Sequence, residues 1–181
     1  MKVEETSLPG VFLITPKIFE DLRGHFFEAW NQQRFAQNNL DVEFVQDNQS
    51  LSKKGVIRGL HFQRPPYAQG KLVRVLRGSI IDVAVDIRKG SKNYGKHFAI
   101  ELNTVNNNML FIPAGFAHGF SVQEDQTAVL YKCTAPYHAE AEMGIRFNDK
   151  DLNINWKVDQ PIVSEKDLDL PLLKEFDSPF I

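Results

Sequence analysis

The sequence predicts an all-β fold, an antiparallel sandwich or barrel with only a few short helices. Short runs of β-branched and aromatic residues recur along the chain, turn signals separate them, and amphipathic helical periodicity is nearly absent. With 181 residues, 43% of them apolar, the chain can fill one complete core. No repeat, low-complexity segment or linker divides it, so one domain over residues 1–181 is expected.

Taken in order, residues 11–15 follow a Pro-Gly pair and read as the first strand, and residues 25–30 are rich in β-formers. Further strands are expected over 56–63, 72–76, 80–87, 98–102, 109–112 and 127–134. Turn signals lie between them at Lys54-Gly55, Arg77-Gly78, Lys89-Gly90, Asn106 to Asn108 and Pro113 to Gly115. In the run 79–87, Ile81, Val83, Val85 and Ile87 share one face. Asp82 and Asp86 fall on the other, the pattern of a strand buried on one side only. Residues 31–38 can form two helical turns, and Ser164 can cap a short helix leading into Leu168. From about Asp149 onward the chain reads as an irregular tail. Fourteen phenylalanines suit thick, aromatic β-packing.

Composition excludes several function classes. The net charge is −2, from 21 basic and 23 acidic residues, so there is no basic field to attract nucleic acid. One cysteine, Cys133, rules out an intramolecular disulfide and points to a reducing compartment. The charged start of the chain does not resemble a signal peptide, and no apolar run approaches the ~18 residues that span a bilayer. A cytoplasmic protein without membrane partners is expected.

The chemistry-bearing pattern is Ile57-Arg58-Gly59-Leu60-His61, with Lys71 opening the next strand and His118 in Pro113-Ala-Gly-Phe-Ala-His118. Histidine accepts and donates protons near neutral pH, and beside arginine and lysine it fits a base acting on an anionic substrate. The plainer alternative is a buried sheet histidine satisfied by a backbone partner. Arg58 weighs against it, because an unpaired arginine in an apolar strand is costly to bury. Strict alternation puts Arg58 and His61 on opposite faces; for both to line one cavity, Gly59 must mark a bulge or the strand must end there. Tyr131 on the late strand and Tyr137 beyond it read first as packing residues, with ligand stacking as the alternative for Tyr137.

The shape Pro-x-Gly-x-x-His at Pro113–His118 resembles the second motif of the cupin superfamily. Metal-dependent cupins also carry a His-x-His motif followed by glutamate. Here His61-Phe62-Gln63 offers one histidine, and no glutamate intervenes before Lys71, so the three ligands a divalent metal wants are not assembled and the metal reading weakens.

The segments Asp21-Leu-Arg-Gly-His-Phe-Phe-Glu28, Gln46-Asp-Asn48, Ile57–Gln63, Gly70-Lys71, Pro113–Phe120, Tyr131-Lys-Cys133 and Ser164-Glu-Lys-Asp167 occur in that order. Together they resemble the dTDP-4-dehydrorhamnose 3,5-epimerases over nearly the whole chain. That resemblance implies a cupin-type antiparallel jelly roll, a homodimer and no cofactor or metal. It implies inversion at C3 and C5 of dTDP-4-dehydro-6-deoxy-D-glucose on the route to dTDP-L-rhamnose. By the same resemblance His61 is the base, Tyr131 the acid on the opposite face of the sugar, Asp167 the partner of His61, and Lys71 the stabiliser of the enolate. Arg23, Glu28, Gln46, Asp47, Asn48, Arg58, His118, Glu142 and Lys166 are expected around the nucleotide sugar, with Tyr137 stacked on thymine. Some of these contacts would come from the partner subunit. Arg146-Phe147, where the family commonly has a tryptophan nearby, and Phe62, where tyrosine is frequent, depart from the pattern without touching a proposed catalytic group. The rival readings are an epimerase acting at C3 or C5 alone, a ketoisomerase of the same fold, a non-catalytic nucleotide-sugar-binding cupin and a metal-dependent dioxygenase.

Overall fold

The computed structural model describes residues 1–181. Its strands are β1 (Lys2–Glu5), β2 (Phe12–Thr15), β3 (Phe19–Asp21), β4 (Gly24–Phe26), β5 (Gln46–Ser52), β6 (Ile57–Gln63) and β7 (Lys71–Arg77), then β8 (Ser79–Asp86), β9 (His97–Asn103), β10 (Met109–Ile112), β11 (Phe116–Val122), β12 (Thr127–Cys133) and β13 (Glu142–Gly144). Two short helices, α1 (Gln32–Ala36) and α2 (Glu165–Leu168), and 3₁₀ turns at Ala139–Ala141 and Leu173–Glu175 complete it. All pairings between these strands are antiparallel, in a six-stranded sheet of order β1-β2-β10-β7-β12-β5 and a five-stranded sheet of order β13-β6-β11-β8-β9. The β3–β4 hairpin stands apart from both. This is the jelly-roll sandwich the sequence predicts.

Side-chain alternation divides the apolar residues among three layers. Between the sheets lie Val73 and Val75 of β7, Ile80 and Ala84 of β8, Phe116, Phe120 and Val122 of β11, and Val129 of β12. Outside the six-stranded sheet, Leu72, Met109 and Phe111 pack under Phe35 of α1 and Leu40. Outside the five-stranded sheet, Ile81, Val83, Val85 and Ile87 pack under Ile145, Phe147, Leu152, Trp156 and Phe176.

Two expectations are corrected here. β8 is buried on both faces, so Asp82 and Asp86 do not face solvent but point into the protein. They share the inter-sheet face with Ile80 and Ala84, because the largely irregular segment after Asp149 roofs the opposite, apolar face and lets it lie outside the sandwich. Residues 25–30 also form less strand than expected. β4 ends at Phe26, and the chain runs irregularly to Asn31, whose side chain caps α1 by accepting from the Arg34 N–H. Five strands escape the sequence reading: β1, β3, β5, β11 and β13.

Candidate active site

One end of the sandwich opens into a cleft of about 520 Å³. Its walls come from both sheets. β6 and β11 supply Arg58, His61 and His118 from one side, and β7, β12 and β5 supply Lys71, Tyr131 and Ser50 from the other. Val163, Ser164, Lys166 and Asp167, from α2 and the turn before it, form the rim. Where the core needs apolar inward positions, these strands carry polar ones at the open end.

Arg58 and His61 share the cleft because β6 bulges between them. Across the β6–β11 ladder, His61 pairs with His118 and Arg58 with Phe120, so three steps on β6 match two on β11. Gly59 absorbs the extra residue with φ +129°, and a Cβ there would lie 2.5 Å from the Gly119 Cα. Only glycine fits such a backbone approach.

His61 Nε2 meets Asp167 Oδ1 at 2.8 Å, and Asp167 Oδ2 accepts from the Gly59 N–H at 3.2 Å. The same bulge that turns His61 inward therefore holds its carboxylate partner. Burial works to raise the Asp167 pKa, but the bonds from His61, Gly59 and Ser164 outweigh it and hold the carboxyl below its ordinary range. A carboxylate fixed on Nε2 leaves Nδ1 as the ring atom that can act in the cleft.

Opposite stand Tyr131 and Lys71, neighbouring strands of one sheet, with the Lys71 Nζ 5.9 Å from the Tyr131 ring centre. Burial pushes the Tyr131 phenol up, so it stays protonated through the neutral range. Burial lowers the pKa of Lys71, while Cys133, Asp82 and Glu142 pull the other way. Lys71 and Arg58 each line the cleft without a carboxylate within ion-pair distance. Arg58 bonds only to Ser52 Oγ, at 3.2 and 3.3 Å. Two uncommitted cations in one cleft are a site for anionic groups.

A smaller recess of about 90 Å³ adjoins the cleft and shares His61, Lys71 and Tyr131 with it. Gln46 and Asn48 of β5, Phe62 and Gln63 of β6, Gln69, Tyr137 and Glu142 complete its lining. Glu142 Oε2 accepts from Tyr137 Oη at 2.7 Å and from Lys166 Nζ at 2.6 Å, which links the recess to the cleft rim. Burial pushes the Glu142 carboxyl up, but these two bonds bring it below its ordinary value.

The structure thus brings His61, Lys71, Arg58, His118, Tyr131, Lys166 and Asp167 to the cleft, and Gln46, Asn48, Tyr137 and Glu142 to the recess. Arg23, Glu28 and Asp47 line neither. Arg23 sits at the tip of the β3–β4 hairpin paired with Asp21, Glu28 pairs with Arg34, and Asp47 points to the outer face of β5, where it binds Lys132 at 2.7 Å. Sequence reasoning missed Asp82, whose Oδ1 lies 2.7 Å from His118 Nε2. The signal was available as an acidic residue between apolar neighbours on β8, but it was assigned to a wet face. No three His, Cys, Asp or Glu side chains converge in a geometry suited to a metal ion.

A family model described as dTDP-4-dehydrorhamnose 3,5-epimerase matches residues 5–175. The chain belongs to that epimerase family. It is 50% identical over 174 residues to the dTDP-4-dehydrorhamnose 3,5-epimerase of Methanothermobacter thermautotrophicus, with 94% of each chain covered. The crystal structure of the dTDP-4-dehydrorhamnose 3,5-epimerase from Elizabethkingia anophelis is similar with a TM-score of 0.94 and 43% identity, over 98% of this chain and 99% of that one. The 3,5-epimerase of Legionella pneumophila, in complex with dTDP-4-keto-L-rhamnose, is similar with a TM-score of 0.92 and 42% identity, over 97% and 94% of the two chains. The membership of this enzyme family agrees with the resemblance read from the sequence motifs, and the jelly roll is the fold of these neighbours.

Proposed function

We propose that the chain inverts C3 and C5 of dTDP-4-dehydro-6-deoxy-D-glucose, giving dTDP-4-dehydro-L-rhamnose for dTDP-L-rhamnose biosynthesis in the cytoplasm. The observation that carries this reading is the placement of His61 and Tyr131 on facing sheets around one cleft, with Lys71 beside the phenol.

Both C3 and C5 flank the C4 ketone, so one carbonyl acidifies both C–H bonds. His61 takes the proton through Nδ1, and Asp167 stabilises the imidazolium that forms. The electron pair moves onto O4, where the Lys71 ammonium meets the developing charge. Tyr131 then delivers its phenolic proton to the carbon from the opposite face, which inverts the centre. Exchange with water restores the imidazole and the phenol for the second carbon. Inversion requires two groups on opposite sides, and a single residue would return the proton to the face it left.

The diphosphate is assigned to Arg58, with His118 and Lys166 also toward the sugar. Gln46, Asn48, Glu142 and Tyr137 are assigned to the nucleotide, with Tyr137 on thymine. A homodimer accounts for the remaining residues: Arg23 and Glu28 lie off their own chain's cleft, and the β3–β4 hairpin that carries Arg23 exposes Phe19, Leu22 and Phe26. These two residues, and Asp47 through its Lys132 pair, are therefore assigned to the partner's nucleotide or to the surface that meets it.

Incubation with dTDP-4-dehydro-6-deoxy-D-glucose in D₂O tests the reaction. The expected product carries solvent deuterium at both C3 and C5 and has the L-rhamno configuration. Deuterium at one carbon only rejects double inversion and leaves a single-site epimerase; a moved carbonyl identifies a ketoisomerase.

A further inference from the structure

Deep in the sandwich, the five-stranded sheet holds a second imidazole–carboxylate pair. His118 Nε2 and Asp82 Oδ1 are 2.7 Å apart, both side chains are buried, and Asp82 is fully so. The second carboxylate oxygen, Oδ2, is buried with no hydrogen-bond partner. A buried carboxylate oxygen left unpaired is costly unless a positive charge offsets it.

The cation that needs such an offset is Lys71. Around it, β12 presents Tyr131 and Cys133, β6 presents Arg58 and His61, β11 presents His118, α2 presents Lys166 and Asp167, β13 presents Glu142 and β8 presents Asp82, while its partner on β10 is the apolar Ile112. Burial keeps the Tyr131 phenol and the Cys133 thiol in their neutral forms. Burial also lowers the pKa of His118, as do Lys71 and His61, against the pull of Asp82. That leaves three carboxylates, of which Asp167 is already engaged by His61. Glu142 is already engaged by Lys166 and Tyr137. Asp82 has no cationic partner other than the disfavoured imidazolium.

We propose that Asp82 is a positioning residue for the epimerisation: its buried carboxylate is the counter-charge of the Lys71 ammonium in the cleft, and it fixes the His118 ring that lines the same cleft. This rests on the reading of Lys71 as the group that meets charge on O4. The sign follows directly. Removing a negative charge near a buried ammonium makes the charged form less favourable, so Lys71 loses its proton at lower pH.

Asp82→Asn keeps an oxygen to accept from His118 and removes only the charge, and the readout is the alkaline limb of the kcat profile. In the wild type this limb is expected below the ordinary lysine value of 10.5, since burial lowers the Lys71 pKa. In Asp82→Asn it is expected to move further down by about one pH unit or more, with kcat recovered on returning to lower pH. A folded Asp82→Asn enzyme with the limb unmoved overturns the proposal, since a merely structural aspartate would lower kcat at every pH alike. Glu142→Gln provides a second arm that does not depend on Asp82→Asn folding. Its alkaline limb is expected to stay within about half a unit of the wild type, and a larger fall would make Glu142 the counter-charge and overturn the assignment. A wild-type protein that inverts no carbon is a failure of the proposed reaction, and it is seen before either variant is made.

Discussion

His61 Nε2 and Asp167 Oδ1 meet at 2.8 Å although 106 residues separate them, and the Gly59 N–H binds the other oxygen of the same carboxylate. One bulge in β6 thus orients both halves of the pair. In the proposed mechanism Asp167 acts through His61, setting its tautomer and balancing the charge it acquires. Asp167→Asn should therefore lower kcat roughly 10²- to 10⁴-fold with a smaller effect on KM. Steady-state kinetics on the folded variant check this; a loss confined to KM would place Asp167 in substrate binding instead.

Gly59 has a second prediction attached to it. At φ +129°, with a Cβ 2.5 Å from the Gly119 Cα and 2.8 Å from the His118 oxygen, any side chain forces the β6–β11 ladder apart. Gly59→Ala is expected to cost about 3 kcal/mol or more of stability, measurable by urea unfolding. Gly90→Ala, where nothing lies within 4 Å, is the control and should be close to neutral.

Acid stability follows from Asp86. Its fully buried carboxylate accepts from Arg88 at 2.7 and 2.9 Å and from Ser91 Oγ at 2.7 Å. Burial raises its pKa, but these bonds together prevail and hold it below the ordinary 3.8. A carboxyl depressed in the folded state stabilises the protein at pH values above that of the unfolded chain. The contribution is then lost as pH falls through the folded value. Asp86→Asn should cost about 2–4 kcal/mol at pH 7, and the gap to wild type should narrow below pH ~3.8 as the wild-type carboxyl protonates. Unfolding curves at both pH values decide it.

Much of this was legible in the sequence where patterning and chemistry agreed. The strand over 56–63 and the need for a break at Gly59 both follow from alternation, since Arg58 and His61 cannot otherwise share a face. The helix that carries Asp167 was visible from Ser164 as its cap. β5 was not visible, because its inward positions, Gln46, Asn48 and Ser50, line the site and its recess instead of a core. A strand whose buried face is a binding site has no apolar period to detect. Asp82 was misplaced for the related reason that alternation tells two faces apart but not what covers each of them. That depended on the segment after Asp149, whose packing residues, such as Trp156 and Phe176, are too widely spaced to announce a roof over β8.

The proposed inversion requires His61 and Tyr131 to serve opposite faces of one sugar ring, and Tyr131→Phe in D₂O separates their roles. Removing the phenolic proton while keeping the ring should leave His61 free to abstract and return protons on its own side. NMR of the recovered dTDP-sugar is expected to show solvent deuterium entering next to the ketone with the configuration retained, and little or no L-rhamno product. Inverted product formed by Tyr131→Phe at the wild-type rate would contradict the assignment of the second proton to Tyr131.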